Sequence, residues 1–175
     1  MAVLLDLRDV IEVPGASKSF ETQLDTQRLQ TPSVPEIDAP LTARGSVSNH
    51  AGLLRLQSAF RATLHCVCDR CGRAFTRVKP LDVDVPLSGD LEAGEGDGEV
   101  FPLEGNSVDV NEVLETCWIL DMESKVLCNP DCLGICPQCG KNLNDGPCGC
   151  VMEAEADPRM AALRQLLQDF SDSED

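Results

Sequence analysis

The chain has 175 residues, with 30 acidic and 14 basic side chains and a net charge of −16. Such a surface repels phosphate backbones, which disfavours an extensive nucleic-acid interface and makes a basic protein the easier partner. Hydrophobic residues make up 42% of the chain but aromatics only 3%, so the expected core is Leu and Val, with ten cysteines as a second source of stability.

The first residues, MAVLLDLRDVIEVPGA, carry no cationic start, and Asp6, Arg8 and Asp9 interrupt the apolar run. They do not read as a signal peptide, and no stretch reaches the roughly 18 apolar residues of a membrane helix. The expected location is the cytoplasm, with no membrane partner. Thiols stay reduced there, so ten cysteines point to metal rather than to disulfides. Residues 2–13 alternate loosely and predict a strand that ends at Pro14-Gly15. A short strand is predicted over 19–24. Pro32, Pro35 and Pro40 make 31–40 an extended connection. Another strand is expected over 41–47, followed by a turn at 48–52.

Period two is clearest over 54–68. Leu54, Leu56, Phe60, Ala62, Leu64, Cys66 and Cys68 fall on one side, and Arg55, Gln57, Arg61, Thr63 and His65 on the other. That pattern predicts a long, half-buried antiparallel strand. The segment Cys68-Asp-Arg-Cys71-Gly72 then reverses the chain, and 74–87 returns as its partner, apolar at Leu81, Val83, Val85 and Leu87. Residues 88–99 (SGDLEAGEGDGE) are acidic and glycine-rich and read as a mobile loop. A short strand over 100–103 and a turn at 104–106 follow. Val108, Val110, Val113, Leu114, Cys117, Trp118 and Leu120 recur at helical spacing, with Glu112 and Glu115 outward and Ser107 or Asp109 as cap. Asp157-Pro158 opens a second helix, with Met160, Leu163, Leu166, Leu167 and Phe170 as its apolar stripe. The tail, 171–175, is acidic and expected to fray.

Eight cysteines fall into four close pairs: Cys68 with Cys71, Cys128 with Cys132, Cys136 with Cys139, and Cys148 with Cys150. CDRCGR and CPQCGK repeat one form, a tight turn that aims two sulfurs inward while glycine lets backbone N–H groups approach them. Four thiolates complete a tetrahedral shell, so eight suggest two Zn²⁺ sites. One site closes within the tail stretch and one ties the tail to the middle of the chain, but the spacing leaves the division of ligands open. Of the other two cysteines, Cys66 reads as a small buried apolar residue and Cys117 as core. His50 and His65 read as surface residues. Arg55, Arg61, Arg70, Arg73 and Arg77 gather around the hairpin, either as a solvated face offsetting thiolate charge or, through Arg61, Arg70 and Arg73, as an RNA contact. All-cysteine shells are closed and structural, and no His–carboxylate, phosphate-loop or serine-nucleophile motif is present, so no catalytic residues are assigned.

CDRCGRAF after a long strand, VDVNEVLETCWILDM, LCNPDCLGICPQCGKNLNDGPCGC and DPRMAALRQLL together resemble the YceD family, the large ribosomal RNA subunit accumulation proteins, over residues 3–168. The resemblance implies a non-enzymatic factor needed for accumulation of large-subunit ribosomal RNA, in a bacterial or plastid-type system. It implies a basic large-subunit ribosomal protein or a pre-ribosomal particle as partner, with ribosomal RNA met indirectly. It also favours Cys68 and Cys71 with Cys128 and Cys132 as one site, and Cys136, Cys139, Cys148 and Cys150 as an added one; the rival division joins the two CxxC turns. The expected fold is α+β: an antiparallel sheet, open to barrel-like closure, with two helices. The sheet and its amphipathic helix span 1–126, and the cysteine-rich segment with a helix packed on it spans 127–175.

Overall fold

The computed structural model describes residues 3–89 and 100–150. The predicted helix at 158–170, the tail and most of the 88–99 loop lie outside them. The chain divides into two compact units, one within residues 1–134 and one beginning at Ile135.

The first unit is built on the predicted hairpin. Strands β1 (Leu4–Asp6), β2 (Ser17–Leu24), β3 (Glu36–Ile37), β4 (Leu41–His50), β5 (Leu53–Val67), β6 (Ala74–Ser88), β7 (Phe101–Pro102) and β8 (Ser107–Asp109) accompany two helices, α1 (Arg8–Ile11) and α2 (Val110–Asp121). The main sheet runs β2-β4-β5-β6-β7, with β3 also pairing β5. Every pairing in it is antiparallel except β6 with β7. The β5–β6 ladder is continuous from Leu54 opposite Leu87 to Val67 opposite Ala74. Leu54, Leu56, Phe60, Ala62, Leu64 and Cys66 are buried, so the alternation in sequence is the alternation of the pleat. Helix α2 covers this inner face. Trp118 is fully buried and stacks on Phe60, with ring centroids 5.9 Å apart. Burying each large apolar side chain here contributes about 1.5–3 kcal/mol. Opposite Phe20, β4 carries Gly45; a Cβ there would lie 2.2 Å from the Gln57 carbonyl and 2.6 Å from the Phe20 ring. The missing side chain is what lets the ring lie across the sheet.

Several expectations are corrected. Residues 2–13 are not one strand: β1 is followed at once by α1. Leu7 and Val10, three apart, are both buried, a helical rather than a strand spacing, and the Asp6 carboxylate accepts from the Arg8 N–H at 3.0 Å to start the turn. The turn at 48–52 shrinks to Ala51-Gly52, both at positive φ (54° and 95°), as a two-residue hairpin requires. β4 runs on to His50 because buried Asn49 donates to the Val10 and Ile11 carbonyls, each at 2.9 Å, and accepts from the Gly52 N–H at 2.8 Å. Val108 belongs to β8, paired with Leu5 of β1, so α2 begins at Val110. Of the two proposed caps the chain uses Asp109, which accepts from the Asn111 and Glu112 N–H groups. Glu115 is buried rather than outward: Arg28 reaches it at 2.9 Å, and burial pushes its carboxyl above the usual range. Leu120, assigned to the apolar stripe, is 64% exposed, because the sheet ends beside it. Among the described residues the sheet forms no closed barrel, since β2 stands at one edge and β7 covers only two residues of β6.

Candidate metal centres

The hairpin reverses at Cys68–Gly72. Gly72 (φ 67°) donates to the Cys68 carbonyl at 2.9 Å, and the Cys68 N–H to that of Arg73 at 3.0 Å. In the second unit the turn at Cys136 repeats this pattern. Gly140 (φ 71°) donates to the Cys136 carbonyl at 2.9 Å, and the Cys136 N–H to that of Lys141 at 2.8 Å. Positive φ falls on glycine in both, where it costs little. The backbone N–H groups of Arg70 and Cys71 point at the Cys68 sulfur, and those of Gln138 and Cys139 at the Cys136 sulfur.

Sulfurs gather in two groups, Cys68, Cys71, Cys128 and Cys132 in the first unit and Cys136, Cys139, Cys148 and Cys150 in the second. Within each group all four Sγ atoms lie within 4.8 Å of one another. That is the division the resemblance favours; the two CxxC turns do not share a group. The contacts at the first site are Cys68 to Cys132 at 3.8 Å and Cys71 to Cys128 at 3.7 Å. All ten cysteines are unbridged.

The donor chemistry fits a soft divalent metal. Burial raises the Cys68 thiol, but hydrogen bonds from the Cys128, Cys71 and Arg70 N–H groups outweigh it and bring it down to about 6. Cys136 comes down to about 6 through the Cys139 and Gln138 N–H groups. Cys128 is pushed up to about 12 by burial and by neighbouring thiols, and Cys150 to about 12 by Cys139 first. Each group thus holds one sulfur ready to ionise and another that resists while its neighbours carry the charge. A cation among them removes that resistance.

The first site is braced by Asp69, which the sequence pattern does not mark, and by Arg70, expected there as one of the hairpin arginines. Asp69, inside the CxxC turn, accepts from Ser33 Oγ at 2.5 Å and from the Val126 N–H at 2.6 Å, and its own N–H donates to the Val126 carbonyl at 2.9 Å. Arg70 Nη1 donates to the Cys132 carbonyl at 2.9 Å. Gly134 (φ 78°) passes so close that a Cβ would sit 3.2 Å from the Arg70 carbonyl. The only sequence hint was a short acceptor side chain between two paired cysteines. The second site is more open, with Cys136 buried and Cys139 exposed. Its turn is held by Lys141 Nζ on the Pro147 carbonyl and by the Asn142 side chain, which caps the short 3₁₀ turn Leu143–Asp145.

The remaining candidates are dispersed. Cys66 is buried in the sheet core, and Cys117 is half-buried against it. His65 meets Asp38 at 2.9 Å, and His50 meets Ser48 at 3.0 Å. Arg55 is paired with Asp84 at 2.8 Å, and Arg77 with Glu123. Arg70 and Arg73 stand at the turn. Arg61 lies seven residues back along β5, roughly 23 Å at strand rise, so the three do not form one patch.

An α+β sheet whose hairpin tip gathers four cysteine sulfurs, followed by a second unit that gathers four more, defines a protein with two sites that could each hold a metal ion. No helix among the described residues is long and apolar enough to cross a membrane. The family described as "Large ribosomal RNA subunit accumulation protein YceD" matches residues 56–167, and the chain belongs to it. The chain is 25% identical over 150 residues to the Large ribosomal RNA subunit accumulation protein YCED homolog 1, chloroplastic, of Arabidopsis thaliana, covering 69% of this chain and 46% of that protein. It is 23% identical over 135 residues to the protein of the same name from Zea mays, covering 60% and 46%. The chain therefore spans about half the length of the curated relatives it matches. No solved structure matches it.

Proposed function

We propose that this protein is a zinc-braced, non-enzymatic factor that supports accumulation of large-subunit ribosomal RNA by holding a basic large-subunit ribosomal protein or a precursor particle. The family supports the biological role. The observation that carries the partner is how the cations are spent. Arg28, Arg44, Arg55, Arg77 and Lys79 are all committed to carboxylates of the same chain. The charge left to meet a partner is acidic, in a chain already at −16. Such a surface attracts a basic protein and speeds its encounter. Zinc is the metal that best suits eight thiolates in two closed tetrahedral sets, and when bound it supplies cross-links rather than chemistry. Unbridged cysteines accord with a reducing compartment, the cytoplasm.

The test is a binding assay with purified, zinc-analysed protein. About two Zn²⁺ per chain are expected. Binding to a basic large-subunit ribosomal protein should weaken as salt rises through physiological strength, and binding to protein-free ribosomal RNA should be about micromolar or poorer. A second reading, direct RNA binding, rests on the exposed positions of Arg61, Arg70 and Arg73. Tight RNA binding at physiological salt that is lost when these three are changed to Glu would replace the first reading with the second.

A further inference from the structure

Strand β6 has an unpaired edge among the described residues. Among the described residues, Ala74–Pro86 pairs only with β5, because β7 covers just Leu87 and Ser88. The direction of its backbone groups can be read from one bond: the Leu103 N–H donates to the Ser88 carbonyl at 2.9 Å, so Ser88 faces away from β5. In an antiparallel strand, a residue's N–H and C=O point to one side and the next residue's to the other. The β5–β6 register is unbroken, so Asp82 and Asp84 also point outward, as do the positions of Pro80 and Pro86. The prolines agree independently, since proline is tolerated where the missing N–H would face off the sheet. They frame a window, 81–85, about as long as a typical strand. Beside the window lies a hollow of about 330 Å³ whose apolar lining is Leu81, Val83, Val85, Cys117 and Leu120.

We propose that this window is a docking strip where an extended segment of a basic partner protein adds a strand to the sheet. The proposal rests on the reading of a basic partner given above and specifies what that partner presents. Main-chain bonds to the N–H and C=O groups of Asp82 and Asp84 supply affinity, and alternate side chains supply selection. One set of partner side chains falls over the apolar hollow beside Leu120. The other falls over the outer face at Asp82, which is exposed and makes no ion pair among the described residues, and at Asp84. The fitting segment alternates apolar and cationic residues. A second copy of this chain does not fit: antiparallel pairing centred on Val83 sets Asp82 of one copy against Asp84 of the other, like charges directly opposed.

The probe is an eight-residue peptide alternating lysine and valine, titrated into the ¹⁵N-labelled full chain. Amide shifts confined to 81–85 and the end of α2 are expected. The same peptide N-methylated at alternate amides should bind roughly tenfold more weakly, since it keeps its charge but loses the ladder. Asp82→Pro with Asp84→Pro should weaken the parent peptide about as much, while Asp82→Asn with Asp84→Asn weakens it only about two- to threefold. If the proline variant fails to fold, the N-methylated peptide on the native chain decides alone. Equal binding of the two peptides, shifts elsewhere, or an edge-to-edge dimer in sedimentation would overturn the proposal. Binding of an intact basic ribosomal protein by the native chain tests the functional reading separately. If that binding is present but untouched by the proline variant, the reading survives and the docking strip does not.

Discussion

Cys71→Ser should destabilise the sheet unit far more than Cys139→Ser. At the first site, 57 positions separate Cys71 from its sulfur neighbour Cys128. Closing a loop of that length in the unfolded chain corresponds to about 4 kcal/mol of conformational entropy by the relation used for covalent cross-links. A metal cross-link acts on the unfolded chain in the same way, and a typical domain has only about 5–15 kcal/mol in all. Cys139 and Cys148 are nine positions apart, and the same relation gives about 2.6 kcal/mol, confined to the second unit. Trp118 is the single tryptophan and is fully buried in the first unit, so its fluorescence reports that unit. In urea, with a slope of about 1.5 kcal/mol/M, loss of the first cross-link should lower the Trp118 midpoint by about 2–3 M. Cys139→Ser should leave that midpoint nearly unchanged, and a chelator should reproduce the Cys71→Ser effect on the native chain. Equal midpoints for the two variants, or a shift below about 0.5 M for Cys71→Ser, would refute the cross-link argument.

Other outcomes follow from single contacts. Asn49→Ala removes three hydrogen bonds, two to the Val10 and Ile11 carbonyls and one from the Gly52 N–H, and should cost about 3 kcal/mol in chemical denaturation. Gly45→Val drives a branched side chain into the Gln57 carbonyl and the Phe20 ring, and should leave little folded protein, read as lost near-ultraviolet dichroism. Glu115 has its folded carboxyl raised by burial, so the folded state holds the proton longer than the unfolded one. Stability from this group therefore falls as pH rises above its ordinary value of 4.5. Melting temperatures across this range should show the Gln variant gaining on the native chain as pH increases; a constant difference would refute it.

The hairpin and the four cysteine pairs were legible in the sequence because both are written locally, whereas the division of the pairs into two groups was left open by the spacing and only favoured by the resemblance. Fifteen residues of strict alternation in β5 leave one face to bury, and CxxCG prescribes a turn whatever surrounds it. The tertiary decisions were not local. Residues 2–13 alternate loosely enough to suggest a strand, and the helix at 8–11 is explained only by contacts that the pattern does not carry, the Asp6 carboxylate on the Arg8 N–H and Asn49 on the Val10 and Ile11 carbonyls. Glu115 sits at a position that helical periodicity marks as outward, until Arg28, 87 positions away, folds over it. Val108 fits the apolar stripe of a helix and the ladder of a strand equally well; pairing with β1 decides. Asp69 looked like filler between ligands and Arg70 like a solvated or RNA-facing cation, because what they bind, Val126 and Cys132, lies more than fifty residues downstream.

Two turns of the same hydrogen-bond pattern in one chain also set a problem for metal loading. Either turn offers two sulfurs that any other cysteine pair could complement, so a newly made chain that takes up a metal could do so in the wrong combination. The order of synthesis eases it, since Cys128 and Cys132 emerge after the hairpin pair and before Cys136. The second group helps as well, because its four sulfurs lie close together in sequence and close quickly on one another once made. Withdrawn into their own small unit, those sulfurs no longer compete, and the hairpin is left with Cys128 and Cys132 as the pair free to complete its site.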